Sequence, residues 1–175
     1  MNSNLTPRFL VLAGMILVAA FTRLIPHPPN FTAIGAMALF GGAYFNKKSF
    51  AFAVPLIAMF LSDLIIGFHP GMYIVYLSFI LIVMLGMILK EKKKIANVFL
   101  ASISAAILFF VLTNFAQWIT DPLYTKNIPG LISCYVAAIP FFGNTLFSNL
   151  FYAGVLFGSF ELAKLKFSQL AEIKA

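Results

Sequence analysis

The chain has 175 residues, 62% of them hydrophobic and 10% charged, with a mean hydropathy of +0.98. A soluble domain is about 45–50% apolar and about 25% charged, so the composition excludes one and specifies an integral membrane protein. The net charge of +7 does not point to nucleic acid, because the Lys and Arg residues sit at the ends of apolar runs, where they set topology.

In chain order, the apolar runs predict six spans in one domain covering residues 1–175: 9–25, 32–45, 50–68, 72–89, 95–118 and 141–164. Arg8 followed by Phe9–Phe21, with Val18-Ala19-Ala20 behind, has the outline of a secretory signal. Five further apolar runs follow and the first continues through Thr22–Ile25, so it reads as a span. The stretch from Thr22 to Asn46 organises the rest. It places Arg23, His27 and Pro26, Pro28 and Pro29 directly between two apolar segments. Irregular polar backbone at membrane depth is tolerated only where protein buries it or it lines a cavity. The segment that follows, Thr32–Phe45, makes about 14 residues or roughly 21 Å of helix, against a hydrocarbon core of about 30 Å. It is too short for an ordinary span and carries Gly35, Gly41 and Gly42. Short, Gly- or Pro-interrupted segments mark the binding region of transporters.

Even-numbered crossings return the chain to its N-terminal side. That side collects Arg8, Lys47, Lys48, Lys90, Lys92, Lys93, Lys94, Lys164, Lys166 and Lys174, and only Arg23 and Lys126 face the other way. The asymmetry predicts that both termini are cytoplasmic. Lys90-Glu91-Lys92-Lys93-Lys94 is then a topology signal that also meets anionic lipid headgroups. Three external connections result: the Pro26–Phe31 turn, the His69-Pro70-Gly71 turn, and a long segment from Ile119 to about Pro140. The long one opens with Asp-Pro and Ile-Pro-Gly turn signals. Its apolar part, Leu131–Ile139, is too short to cross and reads as a re-entrant or interfacial cap. The tail, Leu162–Ala175, reads as a short amphipathic continuation into the cytoplasm.

Polar residues inside the spans cluster toward the outer side. Arg23 ends the first span and Asp63 lies about one turn from the end of the third, at matching depth. Asn114, Gln117 and Trp118 close the fifth span; Asn144, Thr145, Ser148, Asn149 and Tyr152 share one broad face of the sixth. Charges in spans are costly and face the bundle interior, paired, so Arg23 and Asp63 are expected to pair or share a polar site. That pairing serves either as a helix tie or as a ligand contact, and the sixth-span face either as helix glue or as pocket wall. His27, His69 and Asp63 lack metal-site spacing, and their rings are expected to hydrogen-bond backbone or ligand; no metal or other cofactor is expected. The single cysteine, Cys134, excludes an intramolecular disulfide and has no basic neighbour to activate it, so it reads as a packing residue. No Gly-x-Ser-x-Gly, His-Glu-x-x-His or Walker loop is present. Ala38-x3-Gly42 and Gly154-x3-Gly158 permit close helix approach and are expected to pack internally.

The run Arg23-Leu24-Ile25-Pro26-His27-Pro28-Pro29-Asn30-Phe31-Thr32, with Ile34-Gly35-Ala36, Leu39-Phe40-Gly41-Gly42-Ala43, Ser62-Asp63 and Gly67-Phe68-His69, resembles the signature of an uncharacterised bacterial family of small membrane proteins. That family is assigned to transport and related to the substrate-binding S components of energy-coupling factor (ECF) transporters. The resemblance implies an all-α six-helix bundle with a vitamin or similar nutrient bound at its outer face, in a bacterial cytoplasmic membrane. It also implies a partner, a separate transmembrane subunit energised by two ATPases. The Ala-x3-Ala face with which S components often meet that subunit is missing from the first span, which offers Ala13, Gly14, Ala19 and Ala20 instead.

The expected function is therefore capture of a small-molecule substrate for uptake, without catalysis and with no nucleic-acid partner. Arg23, His27, Asn30, Asp63, His69, Asn114, Asn144, Ser148 and Asn149 would orient its polar groups, and Trp118 and Tyr124 would offer stacking faces. Two other classes remain open. One is a membrane enzyme acting on a lipid or small molecule at the outer face, with His27, His69 and Asp63 as acid and base. The other is a ligand-free structural protein whose polar residues tie helices together.

Overall fold

A computed structural model describes residues 6–171. It is built around its shortest helix, α2 (Ile34–Tyr44), all eleven residues of which are buried. A helix that is apolar on every side is stable only when surrounded. Five longer helices surround this one: α1 (Pro7–Phe21), α3 (Lys48–Ile66), α4 (Met72–Ile88), α5 (Ile95–Thr120) and α6 (Ile128–Lys166). Each of the five, α1 and α4 with their flanking 3-10 turns, is long and apolar enough to cross a membrane. Among the described residues there are no strands. The chain is a multi-pass membrane protein. Its exposed surface carries Ile65, Leu77, Ile95, Leu100, Phe147 and Leu162, as expected where lipid replaces water.

The glycines of α2 explain why it can sit so deep. A Cβ at Gly42 would collide with the backbone of α4 at Val83 O and, at 2.9 Å, with Gly86 Cα; a Cβ at Gly86 would collide in turn with the Leu39 carbonyl. The two helices meet backbone to backbone, which requires glycine on both. Gly154 and Gly158 differ. A Cβ at either would meet nothing within 4 Å, so the expected internal packing describes Ala38-x3-Gly42 and not Gly154-x3-Gly158.

Alternating helix directions sort the ends of the bundle. At one end lie nine of the described Lys and Arg residues: Arg8, Lys47, Lys48, Lys90, Lys92, Lys93, Lys94, Lys164 and Lys166. Lys174 and the last four residues of the expected tail lie outside the described residues. This end is tied together around the α2 C-terminus. Tyr44 donates its hydroxyl to Glu161, which pairs with Lys164 at 2.6 Å, while Arg8 donates to Leu170 O at 2.7 Å and Tyr44 O at 3.2 Å. Edge-on rings of Phe40, Phe157 and Phe160 fill the space beneath.

The structure also corrects the expected outer cap. Leu131–Ile139 is not a separate re-entrant or interfacial piece; it is continuous with the residues from 141 onward in α6, a single helix of 39 residues. Asn127 caps it by accepting from the Gly130 amide at 2.9 Å, with Pro in the first turn, where its missing N–H costs nothing. Ile-Pro-Gly is here a helix start rather than a turn. At about 58 Å, α6 exceeds the about 40–45 Å of a bilayer with its headgroups. Its first turns pack on α5, where Tyr135 donates to Val111 O at 2.7 Å and Phe110 lies against Tyr135 and Phe142.

Candidate functional site

The end of the bundle opposite the lysines holds the polar constellation. Arg23 follows α1 in a 3-10 turn (Thr22–Leu24) that aims its guanidinium across at the last turns of α3. Nη1 donates to Ser62 Oγ at 2.6 Å and to Asp63 Oδ1 at 2.7 Å. Tyr76 of α4 donates its hydroxyl to Asp63 Oδ2 at 2.8 Å, and Ser62 donates its own hydroxyl to Met59 O at 2.7 Å. The Arg23 and Asp63 side chains are 10% and 3% exposed. Both carboxylate oxygens are therefore engaged, and three segments of chain are locked by one charged pair. Matching depth in the sequence had indicated this pair; Tyr76 left no such signal.

Beside the pair opens a cavity with two adjoining lobes. The inner lobe, of about 250 Å³, is lined by Arg23, His27, Asn30, Thr32, Ile34, Gly35, Ser148 and Asn149 among others. The outer lobe, of about 860 Å³, runs between α4, α5 and α6 past Tyr73, Phe109, Phe110, Asn114, Gln117 and Phe141. Asn30, His69, Val75, Phe109 and Thr145 face both. Small-molecule pockets occupy about 300–1,000 Å³ and combine apolar walls with a few placed polar groups, which is what these walls provide. A third hollow, of about 520 Å³ beside α5 and α6 near the lysine-rich end, is bounded by Val98, Phe99, Gly154, Phe157 and Gly158. Few polar groups reach it.

Backbone geometry brings the loop residues in. Asn30 adopts a left-handed conformation (φ 62°), a region asparagine tolerates better than other residues with a side chain, and so turns the Pro-rich loop back toward Thr32. Asn144 of α6 holds that loop from outside by donating to Pro29 O at 2.8 Å. His27 Nδ1 lies 2.9 Å from Pro28 O and His69 Nδ1 2.8 Å from Pro70 O. A carbonyl only accepts, so each ring carries its proton on Nδ1 and presents Nε2 for other work. Asn114 donates one N–H to Phe110 O at 2.8 Å, keeping its oxygen and second hydrogen. Asn149, 2% exposed, lies 3.5 Å from Ser102 O through Nδ2, and its amide sits where a Gly35 Cβ would be.

Of the residues singled out from the sequence, Arg23, His27, Asn30, His69, Asn114, Ser148 and Asn149 line this cavity. Asp63, Trp118, Tyr124 and Asn144 do not. Asp63 is consumed by Arg23 and Tyr76 and reaches the cavity only through Arg23. The Trp118 indole donates to Thr125 O at 2.9 Å and its ring lies on Phe115. Tyr124 belongs to a loop gathered by Lys126, whose ammonium donates to the carbonyls of Trp118, Asp121 and Tyr124 at 2.5, 2.6 and 3.2 Å. The aromatic faces that do reach the cavity are Tyr73, Phe109, Phe110 and Phe141. Phe109, Thr113 and Gln117 repeat every four residues along α5, a spacing that would have found them. Cys134 is buried against Asn114 O at 3.5 Å. Among the described residues no three His, Cys, Asp or Glu gather as a metal site would need.

The chain belongs to a family of unknown function, DUF6580, whose model matches residues 3–170. No curated protein and no solved structure matches it.

Proposed function

We propose that this protein captures a small nutrient, such as a vitamin or its precursor, at the outer face of a bacterial cytoplasmic membrane, in the manner of an ECF S component. The observation that carries the reading is convergence. The loop after α1, the turn before α4, and α5 and α6 all send polar side chains into one cavity at one end of the bundle. The opposite end has its tyrosine, carboxylate and Arg8 bound to one another. Helix glue alone needs no cavity, and lipid contact needs no asparagines.

In this reading both termini are cytoplasmic, because the lysine-rich end takes the cytoplasmic side, and the cavity opens outward. The chain binds and does not catalyse. Energy for release comes from a separate transmembrane subunit with ATPases, since the sequence has no nucleotide-binding loop. Membrane lipids cover the remaining surface.

Thiol labelling in intact cells tests the orientation on which capture depends. In a Cys134→Ala background, Asn114→Cys should react with a membrane-impermeant maleimide without permeabilisation, and Lys48→Cys only after it. The reverse pattern would put the cavity on the cytoplasmic side and end the capture reading.

A further inference from the structure

The inner lobe is walled by hydrogen-bond donors that meet no protein acceptor among the described residues. Both hydrogen bonds of the Arg23 side chain leave from Nη1. Guanidinium hydrogens on Nε and Nη2 also donate; no protein acceptor meets them, and they stay accessible, since no buried side-chain nitrogen among the described residues lacks a partner, on a side chain that lines the lobe. The second feature is independent. Ala33, 0% exposed, stands immediately before helix α2 and gives it no side-chain cap. Its first intrahelical bond is from Met37 N to Ala33 O, so the amides of Ile34, Gly35 and Ala36 have no acceptor among the described residues. Buried helix ends of this kind are completed by side chains, water or ligands. Ile34 and Gly35 lie in the wall of the same lobe as Arg23.

Charge decides what completes them. Asp63 balances Arg23, so the pair presents no net charge, but the α2 N-terminus adds the equivalent of about +0.5 elementary charge. A guanidinium and a helix N-terminus in the wall of one lobe match the two oxygens of a carboxylate. The inner lobe is small, whereas the larger outer lobe has the aromatic walls. We infer that the ligand is a small carboxylic acid, its carboxylate seated between the Arg23 guanidinium and the amides at the start of α2, its ring or chain lying outward against Tyr73, Phe109 and Phe141. The inference rests on the capture reading and specifies its substrate class.

Dansylglycine and dansylglycinamide share an aromatic body and differ in the carboxylate, and energy transfer from Trp118, the single tryptophan, reports either one on the purified full-length protein. Dansylglycine should bind at least about tenfold more tightly, a difference of about 1.4 kcal/mol. In the Arg23→Gln/Asp63→Asn double variant, which keeps a neutral hydrogen-bonded pair, the preference should vanish. Ala33→Ser, which gives α2 a cap oxygen of its own, should weaken dansylglycine several-fold and leave the amide unchanged, without touching the ion pair. Equal binding of the two probes by the native chain, or a preference that survives both variants, overturns the carboxylate assignment and leaves capture standing. Failure of both probes to bind overturns both.

Discussion

Gly42→Val should yield no folded protein, the largest loss expected from any single added side chain in this bundle. Overpacking ordinarily costs about 1–3 kcal/mol because flexible side chains yield. At Gly42 the obstacle is the α4 backbone itself, Val83 O and Gly86 Cα, and retreat of α4 would open the centre of the bundle. Gly42→Ala gives the sharper sign test. Alanine favours helix over glycine by about 1 kcal/mol, so a position governed by propensity would gain, whereas this one should still lose. Gly158→Val, with nothing within 4 Å of the added atoms at Cβ, should leave stability unchanged. Monodisperse yield from membranes and the thermal midpoint in detergent check all three.

The second large effect is at Asp63. Asp63→Ala leaves the Arg23 guanidinium buried without its counter-ion, and breaking a buried pair from one side costs about 3–5 kcal/mol. For a chain of this size that is a fall in midpoint of roughly 6–20 °C. Tyr76→Phe, which removes one donor from the same carboxylate, should cost about 1.5–3 kcal/mol. The Arg23→Gln/Asp63→Asn double variant should recover most of the loss, because it removes both charges and keeps the shape. A double variant as unstable as Asp63→Ala would mean that the charges themselves hold the helices.

Physical constraints explain which parts of this arrangement the sequence revealed. The shortness of α2 and the depth of Arg23 and Asp63 follow from helix rise and the expense of buried charge, and both are legible without coordinates. The first half of α6 was not, because Pro129 and Gly130 carry opposite meanings in a turn and in a capped first helical turn. Asn127 was the signal that separated them. Trp118 and Tyr124 have faces that suit a cavity. Their direction is set by Lys126 collecting three carbonyls in the α5–α6 loop, a contact that no periodicity encodes. Nor could periodicity show that α2 starts uncapped inside the protein, since that depends on what its neighbours fail to supply.

Ligand release from the native protein tests capture most directly. Chain extracted from its own host's membranes and desolvated intact in a mass spectrometer should liberate a discrete small molecule in fixed proportion to protein, and the Arg23→Gln/Asp63→Asn variant should not. Only lipid adducts, the same in both forms, would contradict the account and return the polar residues to the role of holding helices together.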